Sequence, residues 1–272
     1  MAYTHVNGLR LYYEEFANPG KPVLLMVHGA GQDTVSWRFN VEPLAPHFHL
    51  VLLDLPGHGK SAAPPRGFID DYADTVPYVA GFMEALGIPR YVVLGHSFAS
   101  GLGLHLALAH PDRVQALFMI DGTGCPSGAW GGKAFDIVSV NMVDWLEVNF
   151  RLICGHSTPR ERVEEIASDV RRCCSPEVAV GDIASFAKTD LRARLHELRL
   201  PVVDLHGEED WSIPPALGMD TVALIGANAR FRLIPGAGHF PHTEQPEQFN
   251  AAFLQEWERV AAELRQTTGE AA

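Results

Sequence analysis

Ser97 lies in the run Gly95-His96-Ser97-Phe98-Ala99, between an apolar stretch and a helical one, and a serine placed in this way can act as a nucleophile. Residues 91–94 (Tyr-Val-Val-Leu) are β-branched and aromatic, which predicts a short buried strand. From Ser97 onward apolar residues return at helical spacing (Phe98, Leu102, Leu106, Ala109), and Pro111 follows the end. Small residues two before and two after the serine let the helix cross close to the strand. A turn this sharp strains the serine backbone by roughly 1–3 kcal/mol. Its oxygen then sits at a helix N-terminus, where backbone N–H groups face developing negative charge.

A serine nucleophile needs a base, and the base needs an acceptor to orient it. On a parallel sheet such groups belong to loops leaving the carboxyl ends of strands. After a strand at 202–205 comes Gly207-Glu208-Glu209-Asp210-Trp211-Ser212-Ile213-Pro214. After a strand at 230–234 comes Pro235-Gly236-Ala237-Gly238-His239. The candidates in chain order are therefore Ser97, Asp210 and His239. Asp210 competes with Glu208, Glu209 and with Asp121 at the end of an earlier strand, and His239 competes with His242.

The elements that must position these groups follow from periodicity. Residues 5–15 alternate around Asn7-Gly8, which favours a tight hairpin. Continuous apolar strands are expected at 22–27, running into His28-Gly29-Ala30-Gly31, and at 49–53, running into Asp54-Leu55-Pro56-Gly57-His58-Gly59-Lys60-Ser61. The second of these loops reads as a structural turn, and His28 as a strand-end residue. An amphipathic helix is expected at 71–86, stopped by Gly87 and Pro89, and a further strand at 114–120. The pattern resumes after 192 with strands at 202–205 and 230–234 and helices at 216–225 and 246–265. Strands alternating with helices imply a mostly parallel central sheet covered on both faces, an α/β fold. Between 122 and 191 the rhythm changes to helical patterns (134–153, 160–174, 177–186) without a strand. The expected organisation is a core over 1–121 and 192–272, with a small helical lid over 122–191 inserted after the sixth strand.

Composition sets the outer bounds. Hydrophobic residues make up 47% of the 272 positions and charged residues 20%, as in a globular protein with a large core. The formal charge of −12 argues against nucleic acid and anionic membrane as partners. No apolar run approaches the roughly 20 residues that span a bilayer, and no basic-then-apolar leader is seen at the N-terminus, so a cytoplasmic location is expected. The four cysteines, Cys125, Cys154, Cys173 and Cys174, lack C-x-x-C spacing and read as free thiols. His47-x-His49 and Cys154-x-His156 have no second pair at metal-site spacing, so no metal is expected.

His28-Gly29, the Asp54–Ser61 loop, the turn at Ser97 and the Asp210 and His239 loops recur in an order that resembles the α/β-hydrolase fold superfamily over nearly the whole chain. The nearest branch is that of serine esterases and enol-lactonases with a short helical lid. The resemblance implies Ser97 as nucleophile, His239 as general base then acid, and Asp210 as the orienting acid. It also implies an oxyanion hole from the backbone N–H groups of Ala30 and Phe98, and a reaction without a cofactor. Ala99 departs from the glycine most common there, and it is small enough for the helix crossing. Serine at 97 sets the chain apart from haloalkane dehalogenases and epoxide hydrolases, which use aspartate. The implied activity is hydrolysis of small, fairly apolar carboxylic esters or lactones, a small-molecule ester or lactone being the expected partner. A carbon–carbon bond hydrolase of ring-fission products and a ligand receptor with slow turnover are the alternatives. Candidate pocket residues are His96, Trp130, Phe135, Met142, Trp145 and Trp211.

Overall fold

A computed structural model describes residues 2–125 and 139–268. The first hairpin joins β1 (Ala2–Val6) to β2 (Leu9–Phe16) through Asn7 at φ 50° and Gly8 at φ 79°. Positive φ at both turn residues matches the right-handed twist of the strands. There follow β3 (Val23–Val27), a 3₁₀ turn at Thr34–Trp37, α1 (Val41–Leu44), β4 (His49–Leu53), α2 (Tyr72–Ala85), β5 (Tyr91–His96), α3 (Phe98–Ala109) and β6 (Val114–Ile120). After β6 come α4 (Met142–Leu152), α5 (Arg160–Cys173) and α6 (Pro176–Lys188), and then β7 (Val202–Gly207), α7 (Pro215–Ile225), β8 (Ala229–Ile234), α8 (Pro241–Glu244) and α9 (Pro246–Thr268). Asp71 starts α2 by accepting the Ala73 N–H at 2.8 Å.

The eight strands form one sheet in the order β1-β2-β4-β3-β5-β6-β7-β8. The β1–β2 and β2–β4 pairs are antiparallel and the rest parallel, which is the mostly parallel α/β architecture expected. Alternate residues of each central strand point to opposite faces. Leu25, Val27, Val51, Leu53, Val93, Leu117 and Met119 join a core with α2, α3 and the α4–α6 helices. Leu24, Met26, Leu50, Leu52, Val92, Leu94, Phe118, Val203 and Leu205 join another with Trp37, Phe249 and Phe253. Both faces are dry, which is why these strands read as unbroken apolar runs.

Helix α4 packs on both α5 and α6, α6 also packs on α3, and α5 on α8. Of the sequence pattern at 134–153, the described part forms a 3₁₀ turn at Ser139–Asn141 and then α4 from Met142, and residues 134–138 lie outside the described ones. No described helix is long and apolar enough to cross a membrane.

Candidate active site

At the end of β5 the chain turns through Ser97, whose φ of 50° and ψ of −111° are unfavourable for a residue with a side chain. Packing enforces the turn. A Cβ on Gly95 would lie 2.4 Å from the Ala99 carbonyl oxygen, so only glycine fits two residues before the serine. Ala99 itself is accommodated and buried. The Ser97 N–H donates to the Ile120 carbonyl at 2.7 Å, and Ser100 Oγ donates to the Gly95 carbonyl at 2.7 Å, stitching the turn to β5 and β6. The Tyr72 hydroxyl donates to the Phe98 carbonyl at 2.7 Å from α2.

Ser97 Oγ lies 2.9 Å from His239 Nε2, and His239 Nδ1 lies 2.7 Å from Asp210 Oδ2. Asp210 Oδ1 accepts the N–H groups of Ser212 and Ile213 at 2.8 and 3.1 Å, which fixes the carboxylate. The competing acids point elsewhere: Glu208 accepts the Gly236 N–H, and Glu209 pairs with His156. His242 is fully buried against Trp37 and His96, where burial pushes its pKa down to about 3. His28 is also structural. It accepts the Leu55 N–H on Nε2 at 3.1 Å and donates from Nδ1 to the Gly29 carbonyl at 2.9 Å, and burial holds it near 4.

Behind this chain is a second buried group. His206 donates from Nδ1 to Asp204 at 3.1 Å and from Nε2 to the Ile213 carbonyl at 2.8 Å. Burial opposes its charge, but the carboxylates of Asp204, Asp121 and Asp210 outweigh that and push His206 up to about 10. Asp121 accepts the Gly207 N–H at 2.7 Å, and burial raises its carboxyl well above the usual range. Two trios here, His96/Asp121/His239 and Asp121/His206/Asp210, bring potential metal-ligand atoms within 4.8 Å of one another. The hydrogen bonds just described already commit His239 Nδ1 and both His206 nitrogens.

Ser97 and His239 open onto a pocket of about 40 Å³, lined also by Ala30, His96, Phe98, Leu146, Asn149, Phe150, Ile153, Ile183, Phe186, Ser212, Ile213 and Phe240. Of the candidate pocket residues, His96 is in the lining, and it holds the His239 loop by donating from Nε2 to the His239 carbonyl at 2.7 Å. Met142, Trp145 and Trp211 are not. Met142 lies on the same stripe of α4 as Leu146, Asn149, Phe150 and Ile153, but one turn beyond the pocket, and is wholly buried in the core. Trp145 borders that stripe and packs, half-buried, against the core. Trp211 is 56% exposed and donates its indole N–H to the Leu152 carbonyl. Trp130 and Phe135 lie outside the described residues.

Sequence reasoning missed the α6 residues Ile183, Phe186 and Asp182. Asp182 accepts from His58 Nε2 at 2.9 Å and from the Gly31 N–H at 3.2 Å, beside Ala30. The available signal was an acid in the middle of the otherwise uncharged stretch 178–187, since such an acid is rarely buried without a partner. Both His58 nitrogens face acceptors, the other being the Pro56 carbonyl. Burial opposes the charge on His58, and Asp182 outweighs it, raising the pKa.

The alpha/beta hydrolase fold family matches residues 22–152. A pimeloyl-[acyl-carrier protein] methyl ester esterase of Edwardsiella ictaluri is 30% identical over 252 residues, covering 87% of this chain and 93% of that protein. The chain belongs to the α/β-hydrolase fold superfamily. Among solved α/β hydrolases, a thermophilic esterase of Thermogutta terrifontis, malate-bound, superposes with a TM-score of 0.83 at 26% identity, covering 95% of this chain and 97% of that one. The enol-lactonase of Burkholderia xenovorans LB400 superposes with a TM-score of 0.84 over 93% of this chain and 98% of that one, and at 22% identity it speaks for the fold alone.

Proposed function

We propose that this α/β hydrolase cleaves carboxylic esters or lactones of small, fairly apolar substrates through an acyl-enzyme on Ser97. The observation that carries the reading is the hydrogen-bonded chain from Asp210 through His239 to Ser97, ending at the floor of an apolar pocket. Similarity to the Edwardsiella and Thermogutta esterases supports ester chemistry.

In the first half-reaction Ser97 Oγ attacks the acyl carbon while His239 Nε2 takes its proton. Asp210 holds the Nδ1–H and offsets the charge of the imidazolium. The N–H groups of Ala30 and Phe98, both in the pocket wall, receive the oxyanion; losing one such donor typically costs about 2.7–4 kcal/mol. His239 then protonates the leaving alcohol. Water, deprotonated by His239, releases the acid and restores Ser97.

A pocket of about 40 Å³ has room for roughly three water molecules, which suits a short acyl chain. The carbon–carbon bond alternative calls for a cationic anchor for a carboxylate, and no Arg or Lys is among the described lining residues. Steady-state hydrolysis of p-nitrophenyl acetate, butyrate and octanoate tests the reading. Multiple turnover is expected, with acetate and butyrate preferred over octanoate, and Ser97→Ala is expected to reduce kcat at least ~10³-fold while staying folded. Turnover surviving in that variant removes Ser97 as nucleophile. A stoichiometric burst followed by silence points to a slow receptor instead.

A further inference from the structure

The backbone around His239 is held on every side. Its N–H donates to the Ile153 carbonyl at 2.8 Å, and its own carbonyl accepts from His96. The N–H groups of the flanking residues, Gly238 and Phe240, both donate to the carboxylate of Glu244, at 3.0 and 2.8 Å. The same carboxylate accepts the Gly155 N–H and the Thr158 hydroxyl, each at 2.6 Å. Gly155 and Thr158 belong to the root of the lid, the segment joining α4 to α5. Three of these donors, Gly155, Thr158 and Gly238, converge on Oε2, and the Phe240 N–H meets Oε1. Glu244 is only 4% exposed, so water does not compete.

Sterics make the same junction tight. A Cβ on Gly238 would lie 2.3 Å from the Ile153 carbonyl oxygen, and one on Gly155 would lie 2.5 Å from that of Gly236. Lid root and base loop therefore meet backbone to backbone, with no room for a side chain between them.

We propose that Glu244 is the positioning residue of the base. By holding both flanks of His239 and the lid root at once, it sets the imidazole between Ser97 and Asp210 and makes the lid root part of the scaffold of the reaction. The proposal rests on the reading of His239 as general base. Glu244 touches neither substrate nor reacting atoms and acts through the loop. A misplacement of the base by about 1 Å can lower the rate about 10²-fold, while the pocket walls given by Phe98 of α3 and by Ile183 and Phe186 of α6 do not touch Glu244. The signature is therefore a fall in kcat at constant KM.

Glu244→Gln is the direct test. With its amide oxygen toward Gly155, Thr158 and Gly238, glutamine keeps those donors, and its NH₂ faces the Phe240 N–H, releasing one flank of His239. Thr158→Val unhooks the lid root alone. Both are compared with wild type and Ser97→Ala in p-nitrophenyl acetate turnover and in phosphorylation of Ser97 by diethyl p-nitrophenyl phosphate, which releases p-nitrophenol. For Glu244→Gln, kcat and the phosphorylation rate are expected to fall about 10- to 100-fold with KM within about twofold. Thr158→Val is expected to lose less, about 2- to 10-fold, again in kcat. A folded Glu244→Gln enzyme with wild-type kcat, or one in which only KM rises, overturns the proposal. Should that variant not fold, Thr158→Val decides: wild-type kcat there overturns the role of the lid root in the scaffold, and a reduced kcat at constant KM upholds it. Turnover by Ser97→Ala would instead sink the hydrolytic reading, whatever Glu244 does.

Discussion

Two buried imidazole–aspartate pairs stand side by side, His239–Asp210 at 2.7 Å and His206–Asp204 at 3.1 Å, and only one of them is placed to move a proton. The difference lies at the second ring nitrogen. His239 Nε2 faces the Ser97 hydroxyl, which can give up a hydrogen, whereas His206 Nε2 faces the Ile213 carbonyl, which can only accept one. Asp121, 3.6 Å from His206 Nε2, adds a further acceptor on that side. With acceptors at both nitrogens and a pKa of about 10, His206 is an imidazolium at neutral pH and has no lone pair to act as a base. Burial and an aspartate partner are thus common to both pairs. The partner of the other nitrogen decides which histidine can be the base.

The strongest way to break this comparison is Asp210→Asn. If Asp210 orients His239, kcat should fall about 10²–10⁴-fold with the melting temperature little changed, read by p-nitrophenyl acetate turnover beside a thermal melt. A loss of less than about tenfold would leave the His239 pair no more functional than its neighbour.

His206→Asn should do the reverse. Removing the cation strands buried carboxylates, so stability should drop by about 3–5 kcal/mol in urea titrations, while kcat at 25 °C stays within about tenfold. The pH dependence sharpens the point. A histidine whose folded pKa is raised stabilises fully below its ordinary value near 6.5, and that stabilisation is lost as the pH climbs to about 10. Wild type should accordingly lose stability between pH 7 and 10 relative to the variant. Parallel curves for the two proteins would show that His206 is neutral in the fold.

The smallest effect is expected from Asp121→Asn. Burial raises this carboxyl, so its stabilising influence declines as the pH rises above the usual carboxylate range. Asparagine keeps the acceptor for the Gly207 N–H, and stability at pH 8 should change by no more than about 1 kcal/mol, toward the more stable side. Collapse of turnover here, with Asp210→Asn still active, would transfer the orienting role to Asp121.

Much of the architecture was legible because the central strands are buried on both faces and appear as continuous apolar runs, and because Gly and Pro mark their ends. The turn at Ser97 was legible for a related reason: a strand, small residues and a helix in direct succession leave few ways to connect them. The pocket was not. Its α4 wall depends on which stripe of the helix turns inward and where along the helix the cavity stops, and a shift of one residue or one turn separates Leu146 from Trp145 and Met142. The large aromatics between residues 122 and 191 stand out by size, yet Ile183 and Phe186 of α6 line the pocket because α6 packs on α3.

The sequence by itself determined the order of the elements, the strained serine and the strand-end loops holding Asp210 and His239, since each is set by residues near in the chain. Tertiary structure alone decided which of the buried histidines faces a hydroxyl, and which carboxylate joins the α4–α5 segment to the His239 loop. Those outcomes are contacts between groups far apart in the chain, such as Glu244 with Thr158 and Asp182 with His58. Local propensity and periodicity carry no record of them, because only the packed sheet and helices bring a donor to a given acceptor.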